Sequence, residues 1–376
     1  METVFWIAFI GAIYSYFLYP LVLVLTPGRQ PTQPHPSTGM PKLTLVVTVY
    51  NEAERVRAKL DNCLGLRYPS DRLEILIASD ASDDGTDAIV KEYAERGVRL
   101  VRADRRLGKE HAQRLAIQEA EGEILVFSDA ATRIPHDSLL RIVEGFSDPS
   151  VGAISSEDRF VAPDGRVVGE GAYVRYEMWL RRLESDVHSL VGLSGSFFAA
   201  RRRVCQEWDI HSPSDFNTAL NCARLGYVAV SDPDLNGFYP AIQEEKREYQ
   251  RKLRTVIRGI TSLVRQPAVL NPFQYGFFSF QVWSHKVMRW LVPWFLLALL
   301  LASFALATQS WFYATALAGQ LVFYALVITG MLCNPLRART FVKIPYFFVQ
   351  VNVAIAHATL AFLLGKRVTT WQPSKR

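Results

Sequence analysis

Carboxylate side chains are the first candidates for chemistry in this chain of 376 residues, because they cluster where predicted strands end. Asp80, Asp83 and Asp84 follow one β-rich run, Asp129 follows another, and Asp215 opens a later helical stretch. A carboxylate can hold a divalent cation or take a proton from a reacting hydroxyl group. The placement of these acids therefore indicates a functional site.

Each acid also has a structural interpretation. The turn from Asp80 to Gly85 could simply cap a helix, and Asp129 could be an ordinary acid at a strand end. The pair Ser214-Asp215 before a helix is typical of N-capping, and for Asp215 the spacing alone favours that interpretation. The residues by themselves leave both interpretations open.

The elements that must position these acids alternate between strands and helices. We predict strands at Leu43–Val49, Leu73–Ser79, Val98–Arg102 and Ile124–Phe127, and helices at Glu52–Gly65, Thr86–Arg96, Gly108–Glu121 and Phe216–Leu225. This alternation predicts an α/β domain with an open, Rossmann-like parallel sheet and right-handed crossovers. In such sheets ligands bind beyond the carboxyl ends of the strands, where the acids lie.

Apolar runs near both ends of the chain predict membrane spans. They are Val4–Leu25 and, towards the C-terminus, Val287–Ala307, Trp311–Leu332 and Phe341–Leu364. Each is close to the length of about 20 residues that crosses a bilayer core as a helix. The first run lacks the basic start and the cleavage site of a signal peptide, so we expect a retained anchor.

Net charge and cysteine content argue against nucleic-acid binding, a zinc site and a disulfide framework. The net charge is +6, but Lys and Arg gather beside the apolar runs, which favours anionic lipids or phosphates over nucleic acid. The four cysteines are scattered and form no CxxC pair. Neither a zinc site nor a disulfide framework is therefore indicated.

Basic residues also predict the membrane topology. Arg337 and Arg339 lie between the last two spans, and the positive-inside rule places them, and with them the middle of the chain, in the cytoplasm. This arrangement leaves the C-terminus outside, although Lys366 and Arg367 in the tail favour the inside. A re-entrant or interfacial segment among the spans would remove the conflict.

An ordered set of short motifs resembles the inverting family 2 glycosyltransferases with the GT-A fold. The set runs Val49-Tyr50-Asn51-Glu52, Asp80-Ala81-Ser82-Asp83-Asp84-Gly85-Thr86, Gly108-Lys109, Phe127-Ser128-Asp129-Ala130, Leu193-Ser194-Gly195-Ser196, Arg201-Arg202, Ser214-Asp215 and Leu225-Gly226-Tyr227. The resemblance covers the chain from about Leu43 to Gln266. The flanking spans look like the branch that contains cellulose, hyaluronan and poly-N-acetylglucosamine synthases and single-addition exopolysaccharide transferases.

The resemblance implies a role for each matched residue. Asp80 and Asp83 would hold the uridine end of a UDP-sugar, and Asp129 would hold Mg²⁺ or Mn²⁺ on the donor diphosphate. Asp215 would be the general base that takes a proton from the acceptor hydroxyl. The other residues expected at the donor are Asn51, Glu52, Lys109, Arg254 and Arg258, and those expected at the acceptor are Gly195, Ser196 and Trp179.

Two motifs depart from the family pattern. Asp129 is followed by Ala130-Ala131, so the second acid of the DxD motif is absent. The QxxRW motif lacks its Trp, although Arg254 or Arg258 could still bind phosphate; the alternative is a basic amphipathic helix on the membrane surface. The helix around Trp179 suits an acceptor-facing position, with ordinary surface packing as the alternative.

The expected organisation has six parts: a membrane helix (1–26), a Pro-rich linker (27–42), the GT-A domain (43–266), an interfacial segment (267–286), three membrane helices (287–364) and a basic tail (365–376). We expect transfer of a sugar to a polyprenyl-diphosphate-linked or other glycan acceptor at the inner membrane, for surface polysaccharide synthesis. An oligomer is compatible with this. The alternatives are a processive synthase that secretes its polymer, and a transporter or scaffold with a degenerate transferase domain.

Overall fold

A computed structural model describes residues 1–32, 39–161, 172–240, 245–337 and 339–368 of the chain. The chain divides into two compact units. The first, here called the sheet unit, is built from Thr26–Gln243 and Thr261–Ser279. The second, the helical unit, is built from Met1–Leu25, Glu244–Ile260 and Phe280–Arg367.

Strands and helices alternate through the sheet unit as the sequence predicts. After the N-terminal helix α1 (Glu2–Leu25), the chain forms β1 (Leu43–Val49), α2 (Ala53–Leu64), β2 (Leu73–Ser79), α3 (Thr86–Lys91), β3 (Val98–Arg102), α4 (Lys109–Glu119), β4 (Ile124–Asp129), α5 (Ser138–Gly145), β5 (Val151–Val161), α6 (Ala172–Val187), β6 (Phe197–Arg201), α7 (Ser214–Arg224) and β7 (Val228–Pro240). It continues through α8 (Glu245–Arg265), α9 (Pro272–Leu306), α10 (Trp311–Leu332) and α11 (Thr340–Leu363).

The seven strands lie in the order β3-β2-β1-β4-β6-β5-β7. The four strands β3, β2, β1 and β4 are parallel, as expected, and every residue of β1 is buried. In a strand that is covered on both faces, each side chain must be apolar or have its polar groups hydrogen-bonded within the protein. This explains the continuous Val- and Leu-rich run. The parallel register pairs Val49 with Ser79 and Thr48 with Asp129, so the carboxyl ends of β1, β2 and β4 coincide.

Beyond β4 the sheet is mixed rather than parallel. Strand β6 runs antiparallel to both β4 and β5, and β5 is parallel to β7. Because Phe197 pairs with Ser128, the chain must enter β6 at the carboxyl end of β4. The turn that precedes β6 therefore lies beside Asp129. If β6 were parallel to β4, its carboxyl end would lie there instead.

A close backbone approach holds the other end of β4 against β1. The N–H of Gly122 donates to the hydroxyl oxygen of Thr44 at 2.9 Å, and the N–H of Glu123 donates to the carbonyl of Lys42 at 2.7 Å. A Cβ atom at position 122 would lie 2.5 Å from the backbone nitrogen of Thr44. Only glycine fits there without moving one of the two strands.

Four helices among the described residues are long and apolar enough to cross a membrane, namely α1, α9, α10 and α11. In the helical unit, Phe5 and Ala8 of α1 are buried against Ala302 and Leu306 of α9 and against Tyr313 of α10. The bounds of α10 are those expected for the third apolar run. Helix α9 begins at Pro272, within the stretch expected to be an interfacial segment, and its backbone is non-helical at Gly276.

Replacing Gly122 with alanine tests the packing of β4 on β1. We expect Gly122→Ala to destabilise the protein by about 1–3 kcal/mol, because the added methyl group overpacks the Thr44 backbone. The measurement is the Tm of the purified protein in detergent. The control is Gly39→Ala, since a Cβ at Gly39 meets nothing within 4 Å. Equal Tm values for the two variants would contradict the close approach.

Candidate functional site

Three strand ends meet at one edge of the sheet and carry most of the predicted acids. The N–H of Asp80 donates to the carbonyl of Val49 at 3.0 Å, which ties the residue after β2 to the end of β1. Asp129 ends β4 directly beside Thr48 of β1. The parallel part of the sheet therefore brings together segments that are far apart in the sequence.

Asn51 and Asp83 are paired across this edge. The side-chain amide of Asn51 donates to Asp83 Oδ1 at 2.7 Å, and the N–H of Asp83 donates to Asn51 Oδ1 at 3.0 Å. Asn51 has φ of 51° and Ala81 has φ of 58°, in the left-handed region that non-glycine residues rarely adopt. Such outliers cluster at ligand sites, where the surrounding contacts must hold them. Here the reciprocal hydrogen bonds fix the first turn against the second.

Asp80 is almost completely buried and holds a neighbouring loop. Its carboxylate accepts hydrogen bonds from the N–H of Leu107 and from the N–H of Gly108, all at 3.0 Å. Burial raises the pKa of Asp80, and these two N–H groups oppose that rise only in part. The contacts place Gly108 at the start of α4, and so set the position of Lys109.

Asp84 has a structural role that the sequence left open. Its Oδ2 accepts from the N–H of Ala53, the first residue of α2, and its Oδ1 accepts from the N–H of Thr86, the first residue of α3, both at 3.0 Å. Partial burial alone would raise the pKa of Asp84, but the hydrogen bonds from Thr86 and Ala53 outweigh it and lower the pKa. The turn thus caps two helices through Asp84.

Lys109 links the acid at the end of β4 to the turn before β6. Its ammonium donates to Asp129 Oδ1 at 2.5 Å and to the carbonyl of Gly195 at 2.8 Å. The N–H of Asp129 donates to the carbonyl of Ser196 at 2.9 Å. Three predicted site segments, from α4, β4 and the turn before β6, are therefore in direct contact.

Asp215 lies beside the same turn. A Cβ atom built on Gly195 would be 3.5 Å from Asp215 Oδ2, and the N–H of Leu193 donates to the carbonyl of Asp215 at 3.3 Å. Helix α7 begins at Ser214 with Pro213 in the N-cap position, so Asp215 is not the capping residue. Its carboxylate is instead next to the residue whose carbonyl binds Lys109.

Asp158 belongs to this cluster and was missed from the sequence. Its Oδ1 accepts hydrogen bonds from the hydroxyl groups of Ser194 and Ser196, both at 2.5 Å. Asp158 is not at the end of its strand, so a search of strand ends passes over it. The Ser194-Gly195-Ser196 motif gave no signal for Asp158, because the two serines lie 36 and 38 residues away from it in the sequence.

The residues present fit a divalent cation only in part. Among the described residues there is no group of three or more His, Cys, Asp and Glu side chains that could hold a metal ion. In that part of the chain the Asp129 carboxylate accepts only from Lys109, through Oδ1, and it is partly exposed. A hard cation here would therefore bind to one carboxylate, with oxygen atoms of a ligand or of water completing its shell.

Three other predicted residues, Arg254, Arg258 and Trp179, lie on helices. Arg254 and Arg258 are on α8, in the stretch that belongs to the helical unit, and Arg258 is buried. Trp179 is on α6, is 43% exposed, and lies 5.9 Å from the ring of Tyr176 between centroids. Their assignment to donor or acceptor stays a prediction.

Residues 44–208 match the protein family described as Glycosyl transferase family 2. The chain is 28% identical over 215 residues to the glycosyltransferase AglE of Haloferax volcanii, which covers 54% of this chain and 69% of that protein. It is 26% identical over 220 residues to the poly-beta-1,6-N-acetyl-D-glucosamine synthase of Staphylococcus epidermidis, covering 55% and 50%. The match to the beta-monoglucosyldiacylglycerol synthase of Trichormus variabilis is 27% over 220 residues, and spans only 45% of that relative.

One similar solved structure covers nearly the whole chain. It is the mannosyltransferase PcManGT from Pyrobaculum calidifontis in complex with GDP-Man and Mn²⁺, with 25% sequence identity and a TM-score of 0.72. The alignment covers 97% of this chain and 99% of that protein. The likeness therefore extends beyond the sheet unit to the apolar helices.

The capping role of Asp84 can be tested by stability. We expect Asp84→Ala to cost about 1 kcal/mol, because it leaves the first N–H groups of α2 and α3 without their acceptor. Since the pKa of Asp84 is lowered on folding, the ionised carboxylate stabilises the native state above its ordinary pKa of about 3.9 and loses this effect as the pH falls.

The measurement is the Tm of wild type and of Asp84→Ala at several pH values. The difference between them should be constant near neutral pH and should shrink below about pH 4. The control is Asp71→Ala, which removes an exposed acid from the turn before β2. An Asp84→Ala variant as stable as this control at pH 7 would contradict the capping role.

Proposed function

We propose that this chain, which carries a glycosyl transferase family 2 domain over residues 44–208, is an inverting glycosyltransferase. It would move a sugar from a nucleotide-sugar to a membrane-associated acceptor. The observation that carries the proposal is the contact of Asp129, Lys109, Gly195 and Asp215 at the carboxyl edge of the parallel strands. One cluster there offers a cation for phosphate, a carboxylate for metal and a second carboxylate for acid–base chemistry.

The donor is proposed to lie along the strand ends, with its base near Asn51, Asp80 and Asp83. Hydrogen bonds fix these residues in the turns at this edge, which suits recognition of a planar base and ribose. Glu52 follows Asn51 and is buried at the start of α2. A UDP-sugar is the first donor to test, and a GDP-sugar is the second, because the similar mannosyltransferase was solved with GDP-Man.

The diphosphate is proposed to lie near Lys109 and Asp129. Mn²⁺ or Mg²⁺ held by Asp129 would offset the negative charge that develops on the leaving diphosphate. Lys109 is already within hydrogen-bonding distance of Asp129, so its ammonium can bind a phosphate oxygen at the same place. We assign Arg254 and Arg258 as further phosphate ligands on the basis of the family resemblance.

Asp215 is proposed as the general base. It would take the proton of the acceptor hydroxyl while that oxygen attacks the anomeric carbon and the bond to the diphosphate breaks. A single displacement of this kind inverts the anomeric configuration. Gly195 and Ser196, which lie between Asp215 and Asp129, and Trp179 are proposed to contact the acceptor.

Four apolar helices support an acceptor at a membrane, such as a polyprenyl-diphosphate-linked oligosaccharide for surface polysaccharide. We place the sheet unit on the cytoplasmic face of the inner membrane because of the charged loop at Arg337 and Arg339. Single addition is favoured by the departure from the QxxRW motif. Processive synthesis is the second candidate, since the chain is similar to a poly-beta-1,6-N-acetyl-D-glucosamine synthase over half of that relative.

Replacing Asp215 with asparagine tests the general base. We expect Asp215→Asn to lower kcat for transfer by about 10²–10⁴-fold, because asparagine cannot accept the proton. Donor binding, measured by titration with the nucleotide, should stay close to wild type. The matched control is Asp234→Asn, which changes an exposed acid paired with Arg141. Unchanged turnover in Asp215→Asn would refute its assignment.

A donor screen tests the reaction class. Purified protein in lipid is incubated with UDP- and GDP-sugars, with Mn²⁺, Mg²⁺ or a chelator, and the release of nucleoside diphosphate is measured. We expect one donor class to be used only with a divalent cation, and Asp129→Ala to abolish that dependence together with donor binding.

Two outcomes of the screen contradict the proposal. Activity of Asp129→Ala equal to wild type would remove the metal role of Asp129, and no turnover of any donor with membranes present would remove the transferase assignment. The length of the product separates the two candidate functions, because a ladder of long polymer would replace single addition with processive synthesis.

A further inference from the structure

A lysine without an assigned role lies beneath the loop that carries Asp129. Lys59 is on α2 and is 3% exposed, so its ammonium is shielded from water. It donates to the hydroxyl of Ser128 at 2.7 Å and to the carbonyl of Thr132 at 2.5 Å. Burial lowers the pKa of Lys59. A buried charge persists only where hydrogen bonds compensate its lost hydration, and the two acceptors, Ser128 and Thr132, belong to one short segment.

A second side chain of the same helix holds the far end of that segment. Asn62 donates to the carbonyl of Ile134 at 2.8 Å and accepts from the N–H of Ile134 at 2.9 Å. Lys59 and Asn62 are three residues apart, so they lie on one face of α2. Together they bind both ends of Ser128–Ile134, a segment we call the Asp129 loop.

The family resemblance predicts a second acid in the Asp129 loop. This chain has Ala130-Ala131 there instead. With a single carboxylate, the direction of that carboxylate depends entirely on the backbone that carries it. Within the loop the N–H of Thr132 donates to the carbonyl of Asp129 at 3.1 Å. The carbonyl that Lys59 binds therefore belongs to the residue that closes the turn at Asp129.

We propose that Lys59 and Asn62 are positioning residues that hold the Asp129 loop in the geometry at which one carboxylate can bind a divalent cation together with a donor diphosphate. This inference rests on the proposed function. Neither residue touches the donor or the cation; both act through the backbone of the loop and through Ser128. The rigid helix α2 thus replaces the constraint that a second carboxylate would have provided.

Lys59 contributes a positive charge as well as two hydrogen bonds to the loop. Its ammonium also interacts electrostatically with the Asp129 carboxylate, so Lys59→Met alone does not separate the effect of the charge from the loss of the hydrogen bonds. Asn62 provides an independent check, because it is neutral and binds the loop only by hydrogen bonds.

The experiment compares three loop variants with one control. Lys59→Met, Asn62→Leu and Ser128→Ala each remove part of the attachment. Thr44→Val is the control, because Thr44 is equally buried but binds Glu74 and Gly122 at the opposite end of β1. The Kd of Mn²⁺ is measured by electron paramagnetic resonance with UDP or GDP present, and Tm is measured on the same samples.

Loss of partners that orient a metal ligand typically weakens metal binding by about 10–100-fold. We expect a rise in Kd of about tenfold for Lys59→Met and Asn62→Leu and a smaller rise for Ser128→Ala, with a change of less than about twofold for Thr44→Val at a similar loss of Tm. If Lys59→Met does not fold, Asn62→Leu and Ser128→Ala decide the question.

Three results would overturn the inference. Unchanged Mn²⁺ affinity in folded loop variants would leave Lys59 and Asn62 as purely structural residues. A rise in Kd confined to Lys59→Met would mean that the charge of Lys59 affects Mn²⁺ binding and that the hydrogen bonds to the loop do not. Wild-type protein that binds no Mn²⁺ with either nucleotide would contradict the proposed function itself, and the positioning role with it.

Discussion

The ammonium of Lys109 links the parallel part of the sheet to the turn before its antiparallel strand. It contacts Asp129, at the end of the parallel strands, and the carbonyl of Gly195, in the turn that enters the antiparallel strand β6. Asp215 lies against Gly195, so this single side chain connects the proposed metal acid to the turn that lies beside the proposed base. The position of Lys109 is in turn set by the buried carboxylate of Asp80, which holds the loop before α4.

The strand ends could be predicted from the sequence because buried parallel strands have an unmistakable apolar pattern. The regular α/β alternation then fixes which acids share an edge, and Asp80, Asp83 and Asp129 lie as expected. The antiparallel insertion of β6 was not predictable, since it depends on pairing over more than 60 residues rather than on any local signal. Asp158 and Lys59 were missed for the same reason, because their partners are distant in sequence.

Local patterns also failed to separate capping acids from site acids. The sequence places both Asp84 and Asp215 before a predicted helix. In the structure Asp84 caps α2 and α3, whereas Asp215 does not cap α7. The distinction comes from packing, because Pro213 takes the cap of α7 and leaves the next carboxylate facing Gly195. The proposed metal role of Asp129 requires a rigid backbone around this residue, and hydrogen bonds from α2 and to the turn before β6 hold that backbone.

The proposed reaction is a single displacement at this edge, assisted by Asp215. The most direct measurement is the anomeric configuration of the sugar released or transferred from an α-linked nucleotide-sugar, followed by NMR before mutarotation. Because a single displacement inverts the anomeric carbon, we expect the first product to be the β anomer. A first product that retains the α configuration would contradict it.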